Sequence, residues 1–300
     1  MATRVQLGAR TFEIASRALV MGICNRTPDS FFDKGEHFGF DRFLARVDAI
    51  SAEGADMIDV GGVKAGPGPE VSEAEELDRV VPAIEEITKR FDLCVSVDTW
   101  RASVAREAFA AGAVLGNDIS GFADPGYLAE AAKAGASVVA THIRLQPRVP
   151  DPDPLYDDLV GSVQAFLLDR ARRAEAAGIP ASGVILDAGL DLGKTASQSL
   201  ELLRASDRLA GLGYPLLLSA SNKRFLGDAL GLELTERADA SLAAAALGIA
   251  RGCRILRVHD VAATVKVRDV LEAVLRAAEP EPPAPDEAGA EGAATPGLGR

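Results

Sequence analysis

Polar residues stand wherever the apolar runs of this chain stop. They are Asn25 after LVMGIC, Asp59 in MIDVGG, Asp98 in VSVDT, Asn117 in VLGND, His142 in VVATHI, Asp187 in VILDAG and Lys223 in LLLSASNK, with Arg257 and His259 in ILRVHD. Carboxylates and amides offer hydrogen-bond acceptors and donors, and clustered cations can hold a small anion. Arg257 and His259 lie two apart, so on one strand both side chains point the same way at its C-terminal end. Polar residues gathered at strand ends converge in only a few folds. One is the barrel whose active site is built from the loops at the strand C-termini. The stretch LVMGICNRTPDSFFDKG, from Leu19 to Gly35, leaves an apolar strand for a polar, Pro-containing loop as such a site does.

The elements needed to position these residues are legible. Apolar runs near 18–24, 56–60, 93–98, 113–117, 136–142, 183–187, 214–219 and 254–258 predict about eight strands. Between them lie segments of helical periodicity, such as FDRFLARVDAISAEG (40–54) and SEAEELDRVVPAIEEITKRF (72–91), several ending in Gly. Strands apolar on both faces and separated by single helices predict a parallel sheet, and eight such units predict a single (β/α)8 TIM barrel. An open doubly wound sheet is the runner-up, disfavoured because no GxGxxG follows the first strand. RVQLGARTFEI (4–14) alternates around a Gly-Ala turn and predicts an N-terminal hairpin that could plug the barrel bottom. RLQPRVPDPDPL (144–155) predicts a semi-rigid, Pro-rich rim or lid. The domain is expected to span 1–278. The acidic tail 279–300, EPEPPAPDEAGAEGAATPGLGR, has too little apolar surface to order itself and is expected to be disordered.

Composition narrows the function. With 300 residues, 48% of them hydrophobic and 25% charged, and a mean hydropathy of +0.10, the chain can build a sizeable core. The net charge of -12 and pI near 4.8 argue against nucleic acid or an anionic membrane as partner. Cys24, Cys94 and Cys253 sit singly in apolar runs without metal-like spacing and read as buried packing residues. No signal peptide and no run of about 18 apolar residues is visible, which predicts a cytoplasmic protein.

Segment after segment, from about 4 to 278, the chain resembles the dihydropteroate synthases. The resemblance rests on MGICNRTPDSFFDKG (21–35), DVGG (59–62), SVDT (96–99), ND (117–118), DAGLDLGKT (187–195), SNKRFLG (221–227) and RVHDV (257–261), in order and at matching spacing. It implies a barrel that joins para-aminobenzoate to 6-hydroxymethyl-7,8-dihydropterin pyrophosphate, releasing pyrophosphate and 7,8-dihydropteroate in folate biosynthesis. A dihydropterin edge of NH donors and carbonyl or ring-nitrogen acceptors needs carboxylates and amides around an apolar slot, and Asp98, Asn117 and Asp187 match that need. Lys223 stands at the family position that bonds the pterin and flanks its methylene. Arg257 and His259 would supply positive charge and donors to the leaving pyrophosphate. Asn25 matches the residue through which the family binds Mg²⁺ on the pyrophosphate. Each Asp alone also reads as a loop cap, Asn25 as a cap of its own loop, Lys223 as a solvated lysine and His259 as a structural residue. Together, at matching positions, they favour pterin binding. The resemblance further implies a homodimer through outer helices, with SLAAAALGIA (241–250) as a candidate surface.

The chain also departs from the family pattern. Where the family usually reads DIGGESTRPGA, this chain reads DVGGVKAGPGPE from Asp59 to Glu70, so that Glu, Ser, Thr and Arg become Val63, Lys64, Ala65 and Gly66. The usual SRKS is Ser221, Asn222, Lys223 and Arg224, and the aromatic of DPGIGFGKT is Leu192. Lys64 and Arg224 restore two positive charges one residue from those lost, although Lys cannot reproduce a bidentate guanidinium. NRTPDSF with KAGPG and SNK resembles a divergent subgroup of synthase-like paralogues. Three functional readings follow. The leading one is a synthase-type transferase acting on a pterin pyrophosphate and an arylamine or a different acceptor. The alternative is a paralogue that binds pterin but has lost para-aminobenzoate binding and turnover. The third is a pterin-dependent methyltransferase.

Overall fold

The computed structural model describes residues 1–26, 36–64, 66 and 68–277. The TPDSFFDKG loop (27–35), Ala65 and the tail 279–300 lie outside the described residues, and with them the expected disorder of the tail. A two-stranded antiparallel hairpin, β1 (Arg4–Leu7) and β2 (Arg10–Glu13), precedes the barrel. The barrel strands are β3 (Leu19–Ile23), β4 (Met57–Gly61), β5 (Cys94–Asp98), β6 (Leu115–Asp118), β7 (Ser137–Thr141), β8 (Val184–Asp187), β9 (Leu216–Leu218) and β10 (Ile255–Val258). They pair in parallel in that order, and β10 closes the ring on β3 with Ile255 opposite Leu19 and Val258 opposite Gly22. The predicted barrel and hairpin are both present, and the open sheet is excluded.

Strand alternation sorts the side chains into two cores. Outward-facing Val20, Ile58, Val60, Val95, Val97, Val138, Leu186 and Leu256 pack under the helices. Inward-facing Leu19, Met21, Met57, Cys94, Leu115, Val139, Ile185, Leu217 and Ile255 form a separate apolar layer with Val5, Leu7 and Ile14 of the hairpin segment. The hairpin is therefore the expected plug. Two residues further along the same strands, the inward positions become Asp59, Ser96, Asn117, Thr141, Asp187 and Arg257, because successive side chains alternate faces with a period of two. All three cysteines are buried and free, as expected.

The helices follow the predicted segments with local differences. Glu73–Arg90 starts at Ser72, whose side chain accepts from the Glu75 amide at 3.2 Å, and places Glu73, Glu75 and Glu76 in its first turn and Lys89 and Arg90 in its last. The segment SQSLELLRASDRLAGL (197–212), whose periodicity reads as one helix, breaks at Ala205 into Ala196–Arg204 and Ser206–Ala210. A short helix, Arg224–Leu230, begins directly after Lys223 and was not anticipated, since seven residues give too little periodicity to read. In the Ala-rich helix Ala238–Ala250, residues Ala244, Ala245, Gly248 and Ile249 are buried, and a Cβ at Gly248 would meet Leu218 Cδ2 at 2.4 Å. Its small residues serve internal packing, while Leu247 with Val270 and Val274 of the following helix is exposed.

Candidate active site at the barrel mouth

The polar layer is wired around one guanidinium. Arg257 Nε donates to Asp59 Oδ2 at 2.6 Å and its Nη2 to Asp98 Oδ2 at 2.8 Å. Ser96 Oγ donates to Asp59 Oδ1 at 2.5 Å, and Asn117 Nδ2 to Asp59 Oδ2 at 3.1 Å. Asp59 is fully buried, and the three bonds its carboxylate accepts make it the anchor of the floor. Residue patterning named Asp59 as a strand end without assigning it a role, although it follows an apolar run just as its partners do. Burial pushes the Asp98 carboxyl above the ordinary carboxylate range, Arg257 pulls it back, and Asp59 adds to the rise. With two of its nitrogens committed, Arg257 retains Nη1 without a protein partner among the described residues.

On the opposite wall, Asp187 Oδ1 accepts from the Gly189 amide at 2.8 Å, and burial raises its pKa against the pull of Lys223. Lys223 Nζ donates to the Leu190 carbonyl at 2.6 Å; burial lowers its pKa while Asp187 raises it. The loop between them is shaped by a residue that sequence reasoning did not single out. Lys194, 8% exposed, donates to the carbonyls of Gly189 at 2.8 Å and Leu192 at 2.9 Å and meets His142 Nδ1 at 2.9 Å. Gly189 runs at φ +64 so close to β7 that a Cβ would stand 1.9 Å from the His142 carbonyl oxygen, so only glycine fits. Lys194→Met keeps most of the side-chain volume and removes the donors. We expect a loss of about 1–3 kcal/mol, with amide exchange rising first across 188–195. Unchanged protection there would contradict this role.

His259 sits beside Arg257, with Nδ1 3.0 Å from Ser221 Oγ, and Arg46 Nη2 donates to its carbonyl at 2.8 Å. Burial, then Arg257 and Arg46, push its pKa down to about 4, so it enters as a neutral imidazole rather than the cation assumed from sequence. Asn25 lies over the end of β4, where a Cβ on Gly61 would stand 2.8 Å from Asn25 Oδ1 and 3.3 Å from Asp98 Cβ. That Oδ1 is buried without a hydrogen-bond partner, which suits a single hard-cation ligand. Among the described residues no group of three His, Cys, Asp or Glu could hold a metal.

The remaining sequence candidates lie apart from this floor. Arg224 is 82% exposed and pairs with Asp228 at 3.0 Å, and Lys64 is exposed on the loop after β4. Asn222 stands at φ +57, with its backbone N–H donating to Ser241 Oγ at 2.9 Å. The loop after β4 is held at its far end by Glu76, which accepts from Thr99 Oγ1 at 2.6 Å and from Arg101, while Arg101 also donates to the Val71 carbonyl. Arg26 is held between helices, over the Phe40 ring at 4.9 Å and donating to the Arg79 carbonyl at 2.9 Å.

The pterin binding enzyme family matches residues 21–259. "Inactive dihydropteroate synthase 2" of Mycobacterium leprae (strain TN) is 46% identical over 270 residues, covering 87% of this chain and 91% of that protein. The chain belongs to the dihydropteroate synthase family. Dihydropteroate synthase of Bacillus subtilis (strain 168) is 41% identical over 261 residues, covering 86% of this chain and 89% of that protein. The Yersinia pestis dihydropteroate synthase, solved with a sulfonamide drug complex, superposes with a TM-score of 0.85 at 40% identity, covering 91% of this chain and 99% of that one. Within the dihydropteroate synthase family, then, this chain is similar both to synthases and to proteins named as inactive.

Proposed function

We propose that the protein binds a dihydropterin pyrophosphate over the Asp59, Asp98, Asn117 and Asp187 floor and transfers its pterin-methyl group to an amine acceptor. The floor carries this reading: the buried carboxylates of Asp59 and Asp187, the largely buried Asp98 and the Asn117 amide face two cations, Arg257 and Lys223, above an apolar layer. That arrangement accepts from ring NH and amino groups on one side and donates to a carbonyl on the other. In the transfer, the bond between the methylene carbon and the pyrophosphate oxygen breaks, its electron pair leaving with the pyrophosphate. The acceptor nitrogen then forms the new C–N bond and loses a proton. The leaving group would be met by Arg257 Nη1 from the floor and by the His259 imidazole, which with Arg46 and Ser221 lines an adjoining cavity of about 350 Å³ that also carries Glu53 and Asp260. Mg²⁺, if carried in on the pyrophosphate, would neutralise its charge, with Asn25 as its protein oxygen ligand. No covalent nucleophile is required.

A second reading, a pterin-binding paralogue without turnover, is supported by the altered loop after β4 and by the relatives named inactive. Calorimetric titration with a pterin-pocket ligand tests what both readings share. Binding is expected in the parent, and Asp187→Ala should weaken it by about tenfold or more. Absence of binding at millimolar ligand, with Asp187→Ala indistinguishable from the parent, would sink both. Complementation of a folate-requiring strain that lacks its synthase separates them.

The protein is further proposed to be a cytoplasmic homodimer. Among the described residues no helix is long and apolar enough to cross a membrane. Exposed Leu247, Val270 and Val274 offer an apolar strip on the last two helices. Sedimentation at micromolar concentration should give the dimer mass, and a monomer would refute the assembly.

A further inference from the structure

The loops after β4, β7, β8 and β9 enclose a groove of about 500 Å³, a size that holds a drug-sized ligand. Leu145, Val149 and Leu192 give it an apolar wall, and Gly66 contributes only backbone, with nothing within 4 Å of an added Cβ. The groove adjoins Lys223 on two sides: Arg224 follows it in the chain, and Asp191 follows Leu190, whose carbonyl Lys223 holds. Its acids are already engaged, Asp151 by Arg144 through two bonds of 2.5 Å and Asp191 by the Phe225 amide at 3.2 Å. Arg148 is different. It crosses the mouth from the loop after β7 to donate to the carbonyls of Gly68 and Pro69, and among the described residues no carboxylate pairs with it. Two carbonyls fix a guanidinium but leave its charge uncompensated. Its backbone sits at φ +67, an uncommon conformation for arginine that persists only when the surroundings over-determine it.

Taking this groove as the acceptor side of the proposed transferase, we propose that Arg148 is its anion-binding residue and that the acceptor is a carboxylate-bearing arylamine larger than an aminobenzoate. The proposal rests on the synthase-type reading for the word acceptor, whereas the binding it requires does not. An aminobenzoate would leave most of the groove empty. A longer arylamine fills the Leu145, Val149 and Leu192 wall, sets its carboxylate against Arg148, and leaves its amine toward Lys223.

The test is calorimetric titration of the full chain with three probes, with and without a saturating pterin-pocket ligand. The probes are 4-aminobenzoate, 4'-aminobiphenyl-4-carboxylate and the uncharged 4-aminobiphenyl. The biphenyl carboxylate should bind at least tenfold more tightly than either of the others. Arg148→Gln should weaken it by about tenfold or more while leaving the uncharged probe unchanged, and Arg148→Lys should recover part of the loss. Gly66→Trp, which fills the groove from open space, should abolish biphenyl binding and spare the pterin-pocket ligand, and it serves as a second variant should Arg148→Gln fail to fold. Equal affinity of charged and uncharged biphenyls, indifference to both variants, or no binding of any probe would overturn the proposal. Failure of the synthase reading has a different signature: the biphenyl carboxylate binds as expected but no product forms with pterin pyrophosphate.

Discussion

Arg257→Ala should cost the folded protein about 3–5 kcal/mol, because it leaves Asp59 and Asp98 buried without their shared cation. The loss is that of breaking a buried pair by removing one partner, and most of it is the penalty on the charges that stay behind. Asp59 cannot turn to solvent, since its side chain is fully buried and it already accepts from Ser96 and Asn117. The deficit should depend on pH. Burial raises Asp98 to about 7, above its unfolded value, so the folded state binds protons more readily than the unfolded state between those two values. The stability contributed by that extra proton is present below the unfolded value and is lost as pH rises through the folded one. Removing Arg257 takes away the strongest group holding Asp98 down, so the variant's deficit should be greatest above about pH 7 and shrink on acidification. Denaturant unfolding at several pH values checks this; a cost under about 1 kcal/mol at neutral pH would show that the floor is not the buried network described.

Para-aminobenzoate and the sulfonamides that mimic it should bind at least a hundredfold more weakly here than the family pattern implies. Position 66 carries no side chain where the family carries a guanidinium, position 222 an amide, and position 192 a leucine in place of a ring. A hydrogen bond to a charged group contributes about 1.5–3 kcal/mol and about 1.4 kcal/mol is tenfold, so two losses suffice. The two cations that the sequence offers in compensation stand at the rim: Arg224 is solvated and paired with Asp228, and Lys64 is exposed. The structure also separates the restoring substitutions. Gly66 needs no positive φ and has open space, so Gly66→Arg fits without strain and should strengthen para-aminobenzoate binding about tenfold. Asn222 sits at φ +57, where arginine costs roughly 1–2 kcal/mol, so Asn222→Arg should lower stability before it adds any contact. Competitive titration of the parent and both variants decides the matter. Micromolar sulfonamide inhibition of the unmodified protein would contradict it.

Sequence reading located the strands well because each barrel strand is buried on both faces and reads as an apolar run bounded by turn residues. It failed where an element was too short to show a period, as at Arg224–Leu230, or where a break fell on an unremarkable residue, as at Ala205. Lys194 and Arg148 escaped notice for a different reason. Nothing in GKT or QPRVP shows that one lysine will gather carbonyls from the loop after β8, or that one arginine will reach across the mouth to Gly68.

What the sequence determined by itself was the inventory and depth of the site. The period of two carries Met57 to Asp59, Cys94 to Ser96 and Asp98, Leu115 to Asn117, Ile185 to Asp187, and Ile255 to Arg257 and His259, so an apolar floor under a polar mouth is written into each strand separately. What only the tertiary structure decided was who pairs with whom. Arg257 meets Asp59 and Asp98 across the barrel because closure of β10 on β3 brings the last strand beside the first, and Arg148 meets Gly68 because two loops far apart in the chain lean over one opening. Local periodicity fixes the face a residue takes, whereas charge pairing depends on distances set only when the ring closes.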